Sequence, residues 1–224
     1  MLGRAAVAMW WDVPVEVKAQ WEDWHSHEHM PERLSIPGFR RGTRWVALSG
    51  EPSYFVLYEA AQLATITTGA YLERLNNPTA WSRKMMPHHR NMVRSLCRVR
   101  SSFGGGLAQV LATIRFSPAP KSGRSAVKWL ATQAMPSLAQ RKGLTGTSLL
   151  ESHSAALPQT AEQRIRGGDR QADCVWLISG YDAEAVKAAV AGELGELEAH
   201  GALPGPVVGF YRCAYSLTSK DLPR

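Results

Sequence analysis

The chain has 224 residues, enough for one large domain or two of ~100 residues, and its 45% apolar and 20% charged residues are typical of a globular protein. No run approaches the ~18 apolar residues that span a bilayer, and the start of the chain predicts a strand, not a signal peptide, so we expect no membrane partner. Three cysteines without a CxxC pair argue against a disulfide framework and favour the cytoplasm.

The formal net charge is +7. A basic chain can bind nucleic acid or attract an anionic small molecule. The basic residues are scattered, with local concentrations only in segments 40–44 and 94–100. We therefore expect no nucleic-acid partner, and a solvated basic surface is the simplest interpretation of the charge.

Apolar periodicity and turn residues predict the order β-α-β-β-α-β for the first half of the chain. Strands are predicted at residues 5–13, 43–48, 54–60 and 92–99. Helices are predicted at residues 15–30, 63–76 and 79–86. Pro31 should end or kink the first helix, because it lacks a backbone N–H.

The same order begins again after the glycines at 104–106, which predict a linker. Strands are predicted at 108–116, 147–151, 173–180 and 207–217, helices at 125–140 and 183–200, and a polar loop at 152–172. The halves align over the first helix, from Trp24 to Trp129 and from Pro31 to Pro136, an offset of 105 residues in each case. We predict two domains, 1–103 with the candidate active site and 107–219 as a mainly structural repeat.

One face of the first predicted helix collects ionisable and aromatic groups. At helical spacing Trp21, His25, Glu28 and His29 point in one direction, while His27 points away. At the offset of 105, the second half has Ala126, Leu130, Gln133 and Ala134. The architecture therefore does not require the ionisable face, and we predict a functional site in the first half.

The predicted catalytic residues are His25, His29, Glu28 and His88. Histidine exchanges protons near neutral pH, so the two helical histidines can act as base and acid, and Glu28 can fix a tautomer or act as a base itself. His88 follows the second helical region; either it or His89 can reach a cleft, and the sequence weakly favours His88.

The predicted substrate-binding residues are aromatic or cationic: Trp21, Trp24, Arg44, Tyr54 and Tyr58. The indoles suit an aromatic or polyketide-like substrate, and the tyrosines share one face of a predicted strand. An arginine can bind a carboxylate or stabilise an enolate. For the tyrosines and the arginine, ordinary sheet packing and surface charge are equally good interpretations.

The stretches EHMPERLSIPGFRRGTRW (28–45) and YLERLNNPTAW (71–81) carry a resemblance that covers nearly the whole chain. The chain resembles the dimeric α/β-barrel superfamily in a tandem form, and is similar to its EthD-like and uncharacterised bacterial members. The resemblance implies an α+β fold of two ferredoxin-like β-α-β-β-α-β repeats whose antiparallel sheets face each other. It also implies a site between helices and sheet, and activities from cofactor-free cyclases, dehydratases, isomerases, lyases and monooxygenases to haem-binding enzymes.

The residues favour a cofactor-independent lyase, dehydratase, cyclase or isomerase that acts on an aromatic or carbonyl-bearing small molecule. A cofactor-free monooxygenase, a haem enzyme with His29 or His88 as ligand, and a non-catalytic hydrophobic-ligand binding protein remain alternatives. His25 and His29 at helical spacing can share an ion, but His27 cannot join them and the HExxH pattern is absent, so we assign no metal site. A homodimer is compatible with the sequence.

Overall fold

The computed structural model describes residues 1–153 and 158–222. Its strands are β1 (Ala5–Asp12), β2 (Phe39–Ala47), β3 (Tyr54–Ala60), β4 (Arg90–Gly104), β5 (Val110–Phe116), β6 (Leu144–Ser152), β7 (Cys174–Gly180) and β8 (Val207–Thr218). They hydrogen-bond in the order β1-β3-β2-β8-β5-β7-β6-β4, which closes a barrel. The expected fold class is confirmed, an α+β fold with a closed antiparallel barrel.

The helices of the described residues are α1 (Lys18–Trp24), α2 (Met30–Leu34), α3 (Leu63–Thr67), α4 (Gly69–Asn76), α5 (Ala80–Met85), α6 (Gly123–Trp129), α7 (Met135–Leu138), α8 (Ala161–Ile165) and α9 (Ala183–Ala199). Single 3₁₀ turns lie at Val15–Val17 and Met86–His88. No helix in this part of the chain is both long and apolar enough to cross a membrane.

A π-helical turn interrupts the first long helix of each half. It spans His25–His29 between α1 and α2, and Leu130–Ala134 between α6 and α7. Met-Pro follows in both cases, and Pro31 lies in the first turn of α2, where a missing N–H is tolerated. The helix therefore continues to Leu34, four residues past the predicted end at residue 30.

Other predicted bounds also shift. The predicted helix 63–76 divides at Thr68, whose backbone is extended at φ −141°, into α3 and α4. The glycines at 104–106 do not form a simple linker, because β4 continues to Gly104. An added Cβ at Gly104 would strike the carbonyl oxygen of Thr145, so this glycine permits a close approach of β4 to the start of β6.

The chain divides into two compact units, one of which consists of Leu2–Arg98, His153–Gln171 and Ala214–Arg224. Its strand β1 is buried at every position, and alternate residues from Ala5 to Trp11 enter an apolar core together with α1 and β3. Part of the predicted polar loop belongs to this unit as the α8 segment, which we define as residues 158–171. Among the described residues between β6 and β7, this unit takes up the α8 segment and His153.

Hydrogen bonds anchor the α8 segment on both sides. The backbone N–H of Arg94 donates to the carbonyl of Arg170 at 2.8 Å, and the N–H of Arg170 donates to the carbonyl of Met92 at 3.0 Å. The N–H of Ala161 donates to Oδ1 of Asn76 at 3.1 Å. The segment is therefore fixed to β4 and α4 as one wall of the candidate site.

The other unit consists of Met1, Val99–Ser152 and Ala172–Cys213. Its core packs β5 and β7 against α6, α7 and α9 around the buried Trp129 and Trp176. The π turn here carries Leu130 and Ala134 at the buried positions, so it packs as ordinary apolar core.

Candidate functional site

Three histidines line one cavity of the first unit. His25 and His29 come from the π turn, and His89 follows the 3₁₀ turn at Met86–His88. Their exposed fractions are 1%, 8% and 8%. The space in which the centre of a water molecule can lie is about 20 Å³, enough for one or so water molecules.

Each imidazole packs against a different indole. The ring centroids are 4.9 Å apart for Trp21 and His25, 4.5 Å for Trp24 and His29, and 4.8 Å for Trp11 and His89. These tryptophans are fully buried or nearly so. The histidines therefore lie in an aromatic, water-poor environment, where hydrogen bonds and charges act strongly.

A hydrogen bond fixes the tautomer of His89. Nε1 of Trp21 donates to Nε2 of His89 at 2.7 Å. An indole N–H can only donate, so Nε2 is the accepting nitrogen and the proton of the neutral ring lies on Nδ1. The buried Nδ1 has no hydrogen-bond partner within the described residues.

Arg44 determines the tautomer of His25 through a longer contact, in which a shared N–H of its guanidinium faces the ring. Its Nη1 donates to the carbonyl of Glu22 at 3.1 Å and to Oγ of Ser26 at 3.0 Å, and lies 3.4 Å from Nδ1 of His25. A guanidinium has no acceptor, so Nδ1 accepts and the proton lies on Nε2. The buried Nε2 lacks a partner in the part of the chain that the structure describes.

His29 differs from the other two. In residues 1–153 and 158–222, neither of its ring nitrogens is hydrogen-bonded to the protein, and its Nδ1 is fully buried. No donor occupies a lone pair of this ring. His29 is therefore the member of the cluster whose basic nitrogen is free to accept a proton.

The surroundings hold all three imidazoles in the neutral form. Burial, the largest cause, lowers the pKa of each ring well below its ordinary value. The positive charge of Arg44 lowers the pKa of His25 further, as does that of Arg33 for His29. At neutral pH these rings are therefore uncharged bases and hydrogen-bond donors.

A buried network of ion pairs forms one side of the cavity. Arg33 pairs with Glu32 at 2.8 Å and with Glu162 of the α8 segment. Arg166 pairs with Glu162 at 3.5 Å and with Asp169 at 2.8 Å. Burial works to lower the pKa of Arg33, but the charge of Glu162 raises it overall, so Arg33 is a permanent cation beside the histidines.

Tyr58 on β3 brings a further polar group to the cavity. Its hydroxyl is buried and has no hydrogen-bond partner among the described residues. Burial raises the pKa of this phenol, so the hydroxyl keeps its proton and can donate it in a hydrogen bond.

Glu28, a predicted catalytic residue, lies half-buried beside the cluster and does not line the cavity. Its Oε1 accepts from Nε1 of Trp24 at 3.2 Å and from Oγ1 of Thr79 at 2.5 Å. A π turn contains more residues than an α turn, so each residue rotates the chain by a smaller angle. Glu28 therefore points away from the face that α-helical spacing predicted. Its contacts tie the first helix to the start of α5.

The structure brings His89, not His88, to the cavity. His88 is half-buried and does not contribute to the lining, whereas its neighbour is buried between Trp11 and Trp21. Sequence reasoning could not separate the two, because both belong to an irregular turn without periodicity.

The predicted binding residues have different surroundings. Trp21, Trp24 and Arg44 surround the histidines, and Tyr58 lines the cavity. Tyr54 instead donates its hydroxyl to Oε1 of Glu22 at 2.8 Å. Among the described residues, no group of three or more His, Cys, Asp or Glu side chains has the arrangement of a metal site.

The sequence did not predict the ion pairs between the first helix and the α8 segment. Thr160 and Gln163 form a capping box at the start of α8, a pattern visible in the sequence. It would have predicted a short helix inside the polar loop. Nothing local indicated that Glu162 would pair with Arg33 across 129 residues.

Fold and cavity together define a ferredoxin-like barrel protein with a buried histidine cluster. No family model matches the chain, and no curated protein matches it. The solved structures with the same fold include an anthrone oxidase-like protein, with a TM-score of 0.66, 12% identity and coverage of 96% of this chain and 92% of that chain.

Two candidate monooxygenases have the fold as well. The one from Lactobacillus acidophilus NCFM has a TM-score of 0.64 at 7% identity, with 97% of both chains covered. The one from Fusobacterium nucleatum has a TM-score of 0.59 at 7% identity, with 97% of this chain and 96% of that chain covered. At such identities the likeness shows the fold alone.

Proposed function

We propose that the protein is a cofactor-independent small-molecule enzyme that removes a proton from an aromatic carbonyl compound at the histidine cluster. The observation that carries the proposal is the set of three neutral, buried imidazoles on one cavity, His25, His29 and His89. A neutral imidazole can accept a proton without first losing one. The indoles around it provide the apolar contact that an aromatic substrate requires.

The neighbours in fold favour an oxygen-consuming reaction. An anthrone oxidase-like protein and two candidate monooxygenases share this fold over more than 90% of both chains. Removal of a proton beside a ketone gives an enolate, which dioxygen can oxidise; a CH₂ group and O₂ then yield a carbonyl group and H₂O. The same first step would also serve the lyase, dehydratase, cyclase or isomerase that the sequence favoured.

Substrate size limits how the molecule enters. The histidine cavity is far below the ~300–1,000 Å³ of pockets that hold drug-sized ligands, so only the reacting edge of a substrate would occupy it. A second cavity of about 210 Å³, measured in the same way, shares Leu75 and Arg94 in its lining. In this proposal the bulk of the substrate lies on that side, and a shift of Arg94 or the α8 segment joins the two spaces.

The same geometry does not fit a haem. A haem bound by His29 would place its iron, and with it the centre of the macrocycle, in a space of about 20 Å³. His88, the other ligand considered from the sequence, does not line this cavity. An acid–base reaction needs only the edge of the substrate there.

The second half is mainly structural in this proposal, and the chain is a tandem form of the barrel with its site in residues 1–103. Leu130 and Ala134 stand in the second π turn where His25 and His29 stand in the first. The variants H25L and H29A therefore introduce residues that the same backbone already accommodates, which makes them suitable for functional tests.

Deuterium exchange at the acidic carbon of anthrone and related aromatic ketones tests the proposal, together with an oxygen electrode. We expect exchange with wild type, and oxygen uptake for substrates that oxidise. H29A should lose deuterium exchange and oxygen uptake but still bind the ligand. H27Q, which changes an exposed residue, should retain both activities. Ligand binding without exchange by the wild-type protein would instead indicate a non-catalytic binding protein.

A further inference from the structure

Four hydrogen-bond donors without partners line the histidine cavity. They are Nε2–H of His25, Nδ1–H of His89, the hydroxyl of Tyr58 and Nε1–H of Trp11, all buried and unpaired among the described residues. Leaving such groups unpaired costs roughly 1–3 kcal/mol each, so a set of four on one cavity points to a ligand with accepting atoms.

We infer that these donors form an oxyanion-binding site for a phenolate or enolate oxygen, and that His25 and His89 hold the oxygen while His29 takes the proton. The inference rests on the proposed function for the assignment of the base. It deepens that function by dividing roles among three histidines of similar burial.

The division follows from which lone pairs are occupied. The basic nitrogen of His89 accepts from Trp21 at 2.7 Å, and that of His25 faces Arg44 at 3.4 Å. Either ring would have to give up its donor before it could accept a proton. His29 has no such donor within the described residues, so it can accept a proton directly.

The same contacts preorganise the donors. Trp21 and Arg44 hold the rings so that the N–H groups are already formed when charge develops, and no reorganisation is needed. Three guanidinium groups in the lining, those of Arg33, Arg94 and Arg166, provide positive charge near a developing oxyanion. Three carboxylates, Glu32, Glu162 and Asp169, pair with Arg33 and Arg166 and offset part of that charge. Burial keeps the pKa of Tyr58 high, so its proton remains available for donation.

The first experiment determines the tautomers by ¹⁵N NMR of the imidazole rings at neutral pH, which needs no substrate. We expect His89 as the Nδ1–H form and His25 as the Nε2–H form. In Trp21→Phe, His89 should lose its single tautomer while His25 keeps its own. The opposite tautomer of either ring in wild type would overturn the inference, even if the protein proves to be an enzyme.

The second experiment uses 4-nitrophenol as the probe, because its absorption band distinguishes phenol from phenolate. We expect the wild-type protein to bind it as the phenolate at a pH below the pKa of the free phenol. Tyr58→Phe, His25→Leu and His89→Leu should each weaken phenolate binding at least tenfold. Equal binding by wild type and all three variants, or binding of the neutral phenol alone, would mean that the donors merely hold a structural water.

Conservative variants separate donors from bases once a substrate is found. The amide nitrogen of glutamine can replace Nε2–H of His25, and that of asparagine can replace Nδ1–H of His89, but neither amide is a base. We expect His25→Gln and His89→Asn to retain kcat within about tenfold, and His29→Gln to lose it. Loss in all three would make the cluster an acid–base relay and overturn the division of roles.

Discussion

Trp21 donates its indole N–H to Nε2 of His89 at 2.7 Å and so determines which nitrogen of that ring carries the proton. The two residues are 68 positions apart in the chain. We predict that Trp21→Phe lowers the free energy of unfolding by about 1–3 kcal/mol, because the buried Nε2 is left without a donor, in addition to lost packing. Denaturant unfolding measures the change.

The matched control is Trp176→Phe in the second half. Trp176 is also buried, and its Nε1 donates to Oγ1 of Thr147 at 2.7 Å. The Trp176→Phe variant should lose a similar free energy of unfolding, and the ¹⁵N NMR signals of the imidazole rings should not change. If both variants changed those signals, the effect of Trp21→Phe would not come from its own hydrogen bond.

The three buried histidines predict that stability falls in mild acid. Their pKa values in the folded protein are below those of the unfolded chain, so unfolding takes up protons once the pH drops below ~6.5. Their contribution is complete above that pH and is lost as the pH falls towards the folded pKa values. The expected slope is at most about 4 kcal/mol per pH unit for three protons.

Urea unfolding between pH 7 and 5 gives this slope. H25L removes one of the three groups, so the slope should fall by about one third. His27, with a side chain 72% exposed, provides the control, and H27Q should leave the slope unchanged. A stability that does not vary over this range would mean that the rings are protonated in the folded protein.

Glu162 is predicted to hold the α8 segment to the first helix. Glu162→Gln leaves Arg33 with Glu32 and Arg166 with Asp169, and removes the charge that joins the two pairs. The free energy of unfolding should fall by about 3–5 kcal/mol, the usual cost of breaking a buried ion pair from one side. Faster amide exchange in the α8 segment should accompany the loss.

The control for this ion pair is Glu184→Gln on α9, where Glu184 and Lys187 pair at 2.8 Å on the surface. Exposed pairs contribute little, so the unfolding midpoint should not move. Equal stability of the two variants would show that the buried network contributes no more than a surface pair.

For Glu28 we predict a structural role. Glu28→Gln keeps an oxygen that can accept from Trp24 and Thr79, so both fold and turnover should survive. Glu28→Ala should lower the free energy of unfolding by about 1–2 kcal/mol, because three donors, on Trp24, Thr79 and Ser82, lose their acceptor. Loss of turnover in the glutamine variant at unchanged stability would instead support the catalytic role that helical spacing suggested.

Gly42 on β2 makes room for Tyr58. A Cβ added there would lie 2.8 Å from Cε1 of Tyr58 and 3.0 Å from Cγ of Met30, closer than packed atoms tolerate. We predict that Gly42→Ala costs about 1–3 kcal/mol and weakens binding of 4-nitrophenolate by displacing the tyrosine. Gly192 in α9 has open space around it, so Gly192→Ala should stabilise the protein by about 1 kcal/mol.

Local patterns predicted the fold class well because strong strand and turn signals occur in both halves of the chain. The apolar run of β3 and the Met-Pro pairs after both π turns are readable in the sequence. The π turn itself was not predicted, because no residue type demands it, and this error assigned Glu28 to the wrong face. A helical wheel assumes constant rotation, which a single wider turn invalidates.

The hydrogen bonds and ion pairs of the site were not predicted, for a different reason. Sequence spacing indicates which groups share an element, but not which side chains pair across the fold. His89 and Glu162 reach the cavity through contacts with residues 68 and 129 positions away. Such pairs depend on tertiary packing, which leaves no periodic pattern in the chain.

The position of Glu162 between β6 and β7 determines when the histidine site can finish folding during synthesis. Arg33 is made 129 residues before Glu162, so its guanidinium has only Glu32 as an ion-pair partner in the first helix until β5 and β6 have emerged. Only then can the α8 segment close over the histidines. A fragment that ends at residue 103 contains every histidine of the cluster but lacks the wall that encloses them.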